Sequence, residues 1–267
     1  MLSSHEMPVK CVAYSSQHGI LISASWDKTL HIHLIHQPDL IPATVKLPNK
    51  PFAISLSPSK LIVALSDRAT IIYDLALLVD TARQSSQPLP NIIDVPPFQQ
   101  RENSLKFLTR AVAAMPNDEG YAMSSIEGRV SVEWFDDSEK SQARKYAFKC
   151  HRQTAPADPE DPDGESMAIV YPVHALSFNP VHGTFVSGGG DGVIASWDAV
   201  SKRRLKQFAK LPAGVAATSY SHDGLLLAIA ISSGFEEGKE DEVAKGPFTV
   251  AIRTMIDADT KSFGSKK

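Results

Sequence analysis

The sequence GYAMSSIEGRVSVEWF, at residues 120–135, predicts a β-hairpin, and the rest of the chain repeats its pattern. On each side of Glu127-Gly128 the side chains alternate between two faces, as in two antiparallel strands joined by a two-residue turn. Glycine tolerates the positive φ that such a turn requires. A third strand, KYAFKC at 145–150, follows and ends in a charged tip, His151-Arg152. This stretch therefore predicts antiparallel β-structure.

Units of three short strands recur from one end of the chain to the other, and no amphipathic helix is predicted. In four of the five units, the last two strands are joined at an acidic turn residue: Asp27, Asp67, Glu127 and Asp191. The first two lie 40 positions apart (67 − 27), which matches a propeller-blade period of about 40–45 residues. Outer strands fit between units at 43–47, 145–150 and 203–208. Four strands per repeat predict an all-β fold, a β-propeller.

The predicted domain is a single propeller with about five blades, which spans residues 1–267. The expected bounds of the blades are 8–36, 43–76, 101–136, 144–199 and 203–256. Composition predicts loop inserts at 76–104, 153–168 and 233–247, since the first two are rich in proline with glutamine or acidic residues. Residues 257–267 are expected to form a tail.

The bulk composition excludes several classes of protein. The net charge of −3 gives no general attraction to nucleic acid, so anion binding requires a local basic patch. Two cysteines, Cys11 and Cys150, provide no disulfide framework and are expected to be buried free thiols, which suits a reducing compartment. The first residues, MLSSHEMP, do not form a signal peptide, and no apolar run approaches 18 residues. A nuclear or cytoplasmic location is therefore expected, without a membrane partner.

The sequence motifs do not favour an enzyme. The chain contains no His-Glu-x-x-His, Cys-x-x-Cys or Gly-x-Ser-x-Gly motif and no phosphate-binding glycine-rich loop before a helix. His31 and His33 lie on one face of a predicted strand, but no third metal ligand is evident. We therefore expect a protein that is not an enzyme and that has no cofactor and no metal.

Several motifs carry a resemblance to a known family. Trp197-Asp198 ends the last strand of the fourth unit, as the Trp-Asp dipeptide does in WD repeats. The stretches SSIEGRVSVE and KYAFKCHR, at 124–133 and 145–152, resemble the WD-repeat mitotic checkpoint proteins named "budding uninhibited by benzimidazoles". SWDKT, ENSLKFLTR, GGGDG and KRRLKQF also fit this family, and the resemblance covers essentially the whole chain. The related WD-repeat mRNA export factors of the nuclear pore share two of these elements.

The resemblance implies a seven-bladed propeller, of which this chain would lack the first two blades. It implies a scaffold of the spindle assembly checkpoint that binds acidic segments of checkpoint kinases. It also implies binding of phosphorylated Met-Glu-Leu-Thr-type repeats of a kinetochore scaffold, with no direct nucleic-acid partner. The implied location is the nucleus and the kinetochore, and also the cytoplasm. The alternative function is that of an mRNA export adaptor at the nuclear pore.

Strand directions predict where such peptides would bind. Arg129 follows a turn on the top face, and Lys149 and Arg152 close an outer strand that ends on the same face. Arginine suits this site because its planar guanidinium forms paired hydrogen bonds with carboxylate or phosphate. Three residues at earlier turns extend the predicted peptide-binding and phosphopeptide-binding site: Trp26, Lys28 and Arg68.

Alternatives remain open for these residues. Arg129 and Arg152 could be solvated loop charges, or they could pair with Glu127 and the neighbours of His151. Lys28 and Arg68 could likewise be solvated loop charges, and Trp26 could pack beneath its own turn. Two acidic segments, within 153–168 and at 236–242, are expected near the same face, where they would enclose the basic residues or remain solvated. Lys202-Arg203-Arg204 is expected on the opposite face as a solvated turn.

Overall fold

Antiparallel β-strands account for half of the residues that the computed structural model describes, which are 2–37, 41–85, 91–154, 168–234 and 247–262. The chain divides into two compact units, Met1–Tyr121 and Ala122–Lys267. Each unit is described below by itself. Within the described ranges, no helix is both long and apolar enough to cross a lipid bilayer.

The first unit begins with two four-stranded sheets. The strands of the first sheet, in spatial order, are β1 (Val9–Ser15), β2 (Ile20–Ser25), β3 (Thr29–Leu34) and β4 (Ala43–Lys46). Those of the second are β5 (Pro51–Leu56), β6 (Lys60–Leu65), β7 (Ala69–Asp74) and β8 (Gln99–Glu102), with helix α1 (Leu75–Gln84) between the last two. β9 (Thr109–Ala114) follows, and the boundary between the units falls within β10 (Gly120–Ser125).

The second unit continues the third sheet with β11 (Arg129–Trp134), helix α2 (Glu139–Gln142) and β12 (Tyr146–Lys149). A two-stranded sheet follows, formed by β13 (Arg152–Thr154) and β14 (Ala168–Val170). The fourth large sheet contains β15 (Val173–Phe178), β16 (Phe185–Gly189), β17 (Ile194–Asp198) and β18 (Arg203–Gln207). The fifth contains β19 (Val215–Tyr220), β20 (Leu226–Ser232) and β21 (Phe248–Thr254), and helix α3 (Asp257–Thr260) follows it.

The five large sheets are the blades of a β-propeller, and they confirm the predicted all-β fold class. In the first unit, β2 and β6 are buried almost throughout, because apolar side chains from both faces of each sheet enter the core. In the second unit, Val186, Ile194 and Ile229 belong to a separate apolar cluster. This packing on both faces is why the middle strands are rich in Ile, Val, Leu and Ala.

The outer strands show how the sheets relate to the predicted repeats. β4, β8, β12 and β18 each pair with the strand that precedes them, so each closes the sheet of the three strands before it. The predicted bounds instead place outer strands such as 43–47 and 203–208 at the start of the next unit. From the second blade onward, each predicted repeat therefore begins with the strand that closes the preceding sheet.

Helix α1 corrects the expectation of a loop over 76–104 and of a chain without amphipathic helices. Leu75, Leu78, Val79 and Ala82 are buried, at the i, i+3, i+4, i+7 spacing of an amphipathic helix. Asp74 caps the helix, since its carboxylate accepts a hydrogen bond from the Leu77 amide at 3.1 Å. The later part of the predicted insert contains β8. Of the other predicted inserts and the tail, residues 155–167, 235–246 and 263–267 lie outside the described residues.

Candidate functional site

The centre of the candidate site is the turn at 126–128, which joins β10 to β11. It is a three-residue loop rather than the predicted two-residue turn, because only its last residue, Gly128, has positive φ (61°). A Cβ at Gly128 would lie 2.7 Å from the carbonyl oxygen of Cys150. Glycine therefore lets the turn approach the chain at 150–152, and the Cys150 amide donates to the Gly128 carbonyl at 2.9 Å.

Three of the predicted site residues meet at this turn. Arg129 and Lys149 are direct partners across the β11–β12 ladder. The Nη2 atom of Arg152 donates to the main-chain carbonyl of Glu127 at 2.8 Å. The Nε atom of Arg129 lies 3.4 Å from the Glu127 carboxylate. Two arginines 23 positions apart (152 − 129) thus converge on one residue.

The arginine side chains retain unused hydrogen-bonding capacity. The buried Nε atoms of Arg129 and Arg152 have no hydrogen-bond partner within the part of the chain that the structure describes. Both side chains are half-buried, and Lys149 is exposed. Because a guanidinium carries five donors, each arginine has donors left for an incoming anion.

His151 does not form part of the exposed charged tip that was predicted. Its buried side chain instead fixes the backbone next to Arg152. His151 is buried, and its ring nitrogens lie 2.9 Å from an Asp191 oxygen and 2.8 Å from the Ser187 hydroxyl. The Trp197 indole N–H donates to the same hydroxyl at 2.9 Å. Since the Asp191 carboxylate can only accept, His151 Nδ1–H donates to it, and Nε2 of the neutral ring accepts from the Ser187 hydroxyl. This buried network fixes the backbone beneath Arg152.

This network was not predicted from the sequence. The spacing Ser-x3-Asp-x5-Trp, from Ser187 to Trp197, was available as a signal. Burial raises the pKa of the neighbouring Cys150 thiol to about 12, and the negative charge of Asp191 adds to this shift. Cys150 therefore stays protonated and unreactive.

A cavity of about 260 Å³ adjoins the site within the second unit. Its lining includes Lys149, Arg152, Trp197 and Arg204. The expectation of a solvated turn is corrected for Arg204, which lies in β18 and lines this cavity. Arg204 lies opposite Trp197 in the β17–β18 ladder, which brings it to the side of the fourth blade next to Arg152.

The remaining predicted site residues belong to the first unit. Trp26 is 37 % exposed, and the ammonium group of Lys50 lies 5.8 Å from the centre of its ring. Lys28 is exposed and has positive φ (68°). Arg68 also has positive φ (69°), and its guanidinium pairs with the Glu102 carboxylate at 2.7 Å. Lys28 and Arg68 occupy the turn position of Gly128 rather than that of Arg129.

The first blade contains a histidine cluster that resembles the network beneath Arg152. His5 bonds to Asp27 and Ser23, both at 2.9 Å, and its ring stacks on His31. The Ser3 hydroxyl bridges His31 and His33. Throughout the described ranges, no group of three or more His, Cys, Asp or Glu side chains could hold a metal ion.

This histidine cluster predicts a loss of stability in acid. Burial, followed by the electrostatic effect of nearby His5, lowers the pKa of His31 to about 4 and lowers the pKa of His33. The unfolded chain, with histidine pKa values near 6.5, then binds more protons, so stability falls as pH decreases from about 6.5 to 4. We expect a loss of roughly 1–2 kcal/mol, after allowance for solvent screening.

The measurement is urea unfolding of the wild type and of His31→Asn with His33→Asn between pH 7 and 4. The double variant should lose less stability over this interval than the wild type. Asp27 faces the cluster, and its hydrogen bonds with Thr29 and His5 outweigh the effect of burial and hold the pKa of its carboxyl below the usual range. Parallel curves for the two proteins would contradict the prediction.

Comparisons with known proteins identify the family. The family model "WD domain, G-beta repeat" matches residues 1–33 and 169–198. Mitotic checkpoint protein BUB3.1 of Arabidopsis thaliana is 40 % identical over 98 % of this chain and 70 % of that protein. The chain belongs to the BUB3 family of WD-repeat mitotic checkpoint proteins. Spindle assembly checkpoint protein bub3 of Schizosaccharomyces pombe is 34 % identical over 86 % of the chain and 63 % of its own length.

Two further comparisons place this BUB3-family chain among other propellers. The mRNA export factor GLE2 of Chaetomium thermophilum is 28 % identical over 100 % of the chain and 68 % of that protein. The Cps50 (Swd1) β-propeller domain of Myceliophteria thermophila superposes with a TM-score of 0.60 at 13 % identity. That alignment covers 92 % of this chain and 72 % of the domain, and at this identity it bears on the fold alone.

Proposed function

We propose that this chain is a non-enzymatic scaffold of the mitotic spindle assembly checkpoint. It binds acidic and phosphorylated peptide segments, and through them it recruits checkpoint kinases to kinetochores in the nucleus. The names of its relatives, which are mitotic checkpoint proteins, support the cellular role. The observation that best supports the binding role is the convergence of Arg129 and Arg152 on the turn at Glu127.

The ligand in this proposal is a phosphothreonine in a Met-Glu-Leu-Thr-type repeat of a kinetochore scaffold. A phosphate with nearly two negative charges gains most from two converging guanidinium groups. Lys149, across the ladder from Arg129, adds a third positive charge. Trp26, Lys28 and Arg68 of the first unit are proposed to contact the acidic segments of checkpoint kinases. Of these, Arg68 has the least free capacity, because Glu102 already pairs with it.

The test is a calorimetric titration with a peptide that carries one phosphorylated Met-Glu-Leu-Thr repeat. Arg129→Ala combined with Arg152→Ala should weaken binding about 100-fold, since each arginine contributes about 1.4 kcal/mol through charge-assisted hydrogen bonds. The melting temperature should stay close to that of the wild type, because both side chains are only half-buried.

Arg203→Ala is the matched control, because it removes one exposed arginine in β18 that does not line the cavity. It should leave binding unchanged within about twofold. An unphosphorylated peptide should bind far more weakly than the phosphorylated one. Equal affinity of wild type and double variant for the phosphopeptide would refute the proposed binding role.

A second candidate function is that of an mRNA export adaptor, which the similarity to GLE2 over the full chain favours. Immunoprecipitation from mitotic cells separates the two functions. Recovery of checkpoint kinases supports the checkpoint role. Recovery of nucleoporins and poly(A) RNA without checkpoint kinases would favour export instead.

A further inference from the structure

Four turns of this chain have an acidic residue at the same position. Glu127 differs from the other three acids in the contact that its carboxylate makes. In the other three turns the acid is aspartate, and its carboxylate accepts a hydrogen bond from the amide two residues later. These bonds measure 2.9 Å for Asp27 to Thr29, 3.3 Å for Asp67 to Ala69 and 3.1 Å for Asp191 to Val193. The aspartates are thus engaged with their own turns.

Glu127 is one methylene longer and uses its carboxylate differently. The residue two positions after it is Arg129, and the carboxylate lies 3.4 Å from the guanidinium Nε of that residue. The contact lacks hydrogen-bond geometry, since the Arg129 Nε atom has no hydrogen-bond partner. The Glu127 side chain is 19 % exposed and that of Arg129 is 33 % exposed. The pair is therefore a loose ion pair that an external anion can replace.

We propose that the Glu127 carboxylate is an internal competitor for the anion site, which occupies Arg129 until a phosphorylated peptide displaces it. This inference rests on the proposed function and concerns its regulation. A carboxylate attached to the same turn acts at a high effective concentration, so it weakens the binding of every external anion by the same factor. Carboxylate peptides, which bind weakly, are then excluded, whereas the more highly charged phosphate still binds.

The main chain and the side chain of Glu127 have separate roles, which makes the inference testable. Arg152 is held by the Glu127 carbonyl oxygen, which a side-chain substitution leaves in place. Glu127→Gln removes the competing charge and keeps the shape. Glu127→Asp keeps the charge but shortens the side chain to the length found at the other three turns. An aspartate there is expected to bond to the amide of residue 129 and to release the guanidinium.

The experiment measures the affinity of the wild type and of both variants for the phosphorylated peptide and for one with glutamate in place of phosphothreonine. Both variants should bind each peptide about fivefold more tightly, in line with the strength of a partly exposed ion pair. Glu139→Gln is the matched control, because Glu139 is an exposed acid on α2 that lies outside the site. It should change neither affinity by more than about 1.5-fold.

Each other outcome has a distinct meaning. Tighter binding by Glu127→Gln and Glu139→Gln alike, with no effect of Glu127→Asp, would indicate general charge repulsion and overturn the inference. Unchanged or weaker binding by both Glu127 variants would also overturn it, and weaker binding would make Glu127 a contact for the ligand.

If the wild type binds neither peptide, the proposed function fails, and the competitor is tested with inorganic phosphate instead. The readout is the NMR signal of the Arg129 Nε–H group during phosphate titration. Movement of this signal at lower phosphate concentrations in both Glu127 variants than in the wild type supports the inference. Identical titrations in all three proteins overturn it.

Discussion

Replacement of Gly189 by alanine is expected to reduce the free energy of unfolding by about 3 kcal/mol or more. A Cβ at this position would lie 2.3 Å from His151 Nδ1 and 2.7 Å from Asp191 Oδ1, which are distances that real Cβ atoms do not reach. Both groups are buried, so neither can move into solvent. The substitution therefore breaks the hydrogen bond between His151 and Asp191 and leaves buried polar atoms without partners.

Gly190→Ala provides the matched control for this prediction. A Cβ at Gly190 would have its nearest neighbours at 3.4 and 3.5 Å, and its backbone needs no positive φ. We expect Gly190→Ala to change stability by less than about 1 kcal/mol. The free energy of unfolding of both variants is measured in urea at pH 7. Equal losses of stability in the two variants would show that the buried network does not limit stability.

Gly189→Ala should also weaken binding of the phosphorylated peptide, although Gly189 contacts no ligand in the proposal. Arg152 follows His151 directly in the chain, so displacement of the imidazole moves the guanidinium away from the Glu127 carbonyl. Titration of folded Gly189→Ala protein with the phosphopeptide should show at least about tenfold weaker binding. Wild-type affinity would mean that the network is not needed to position Arg152.

Leu78→Ala is expected to destabilise the first unit by about 3 kcal/mol. Leu78 is fully buried in helix α1 and packs in the apolar core shared with β3 and β7. Truncation removes buried apolar surface and leaves a cavity that the rigid strands around it cannot fill. The measurement is the free energy of unfolding in urea.

Leu77→Ala controls for helix propensity, because the neighbouring Leu77 is 43 % exposed on the same helix. It should cost less than about 0.5 kcal/mol. Similar losses from the two substitutions would indicate that α1 does not pack on the sheets as the structure shows.

Helix α1 illustrates what composition conceals. The segment LALLVDTARQ has apolar residues at helical spacing, and Asp74 precedes it as a cap. The proline and glutamine residues that follow at 87–100 dominate the composition of the predicted insert. The composition therefore predicts a loop over the whole segment, including the part that forms the helix. Local periodicity over ten residues was the better guide here, because burial depends on the spacing of apolar side chains.

The candidate site shows a second limit of sequence reasoning. Strand direction predicted that Arg129, Lys149 and Arg152 lie on one face, and the structure brings all three to the turn at 126–128. The predicted bounds assigned Lys149 to the next blade, whereas β12 pairs with β11 in the same sheet as Arg129. It left open whether the two arginines pair with Glu127, which the structure decides, and it did not place Arg204 at the adjoining cavity. These contacts depend on side-chain length and on the offset between outer strands and repeats.

The sequence by itself determined the β-strands, the acidic turns and the family, because alternation, turn chemistry and motifs are local properties of the chain. The tertiary structure alone decided which histidines are buried, which glycines leave no room for a side chain and which arginines are already paired. The hairpin at 120–135 carries both kinds of information. Its strands follow from its pattern, whereas the role of Glu127 follows from a separation of 3.4 Å that only the folded chain creates.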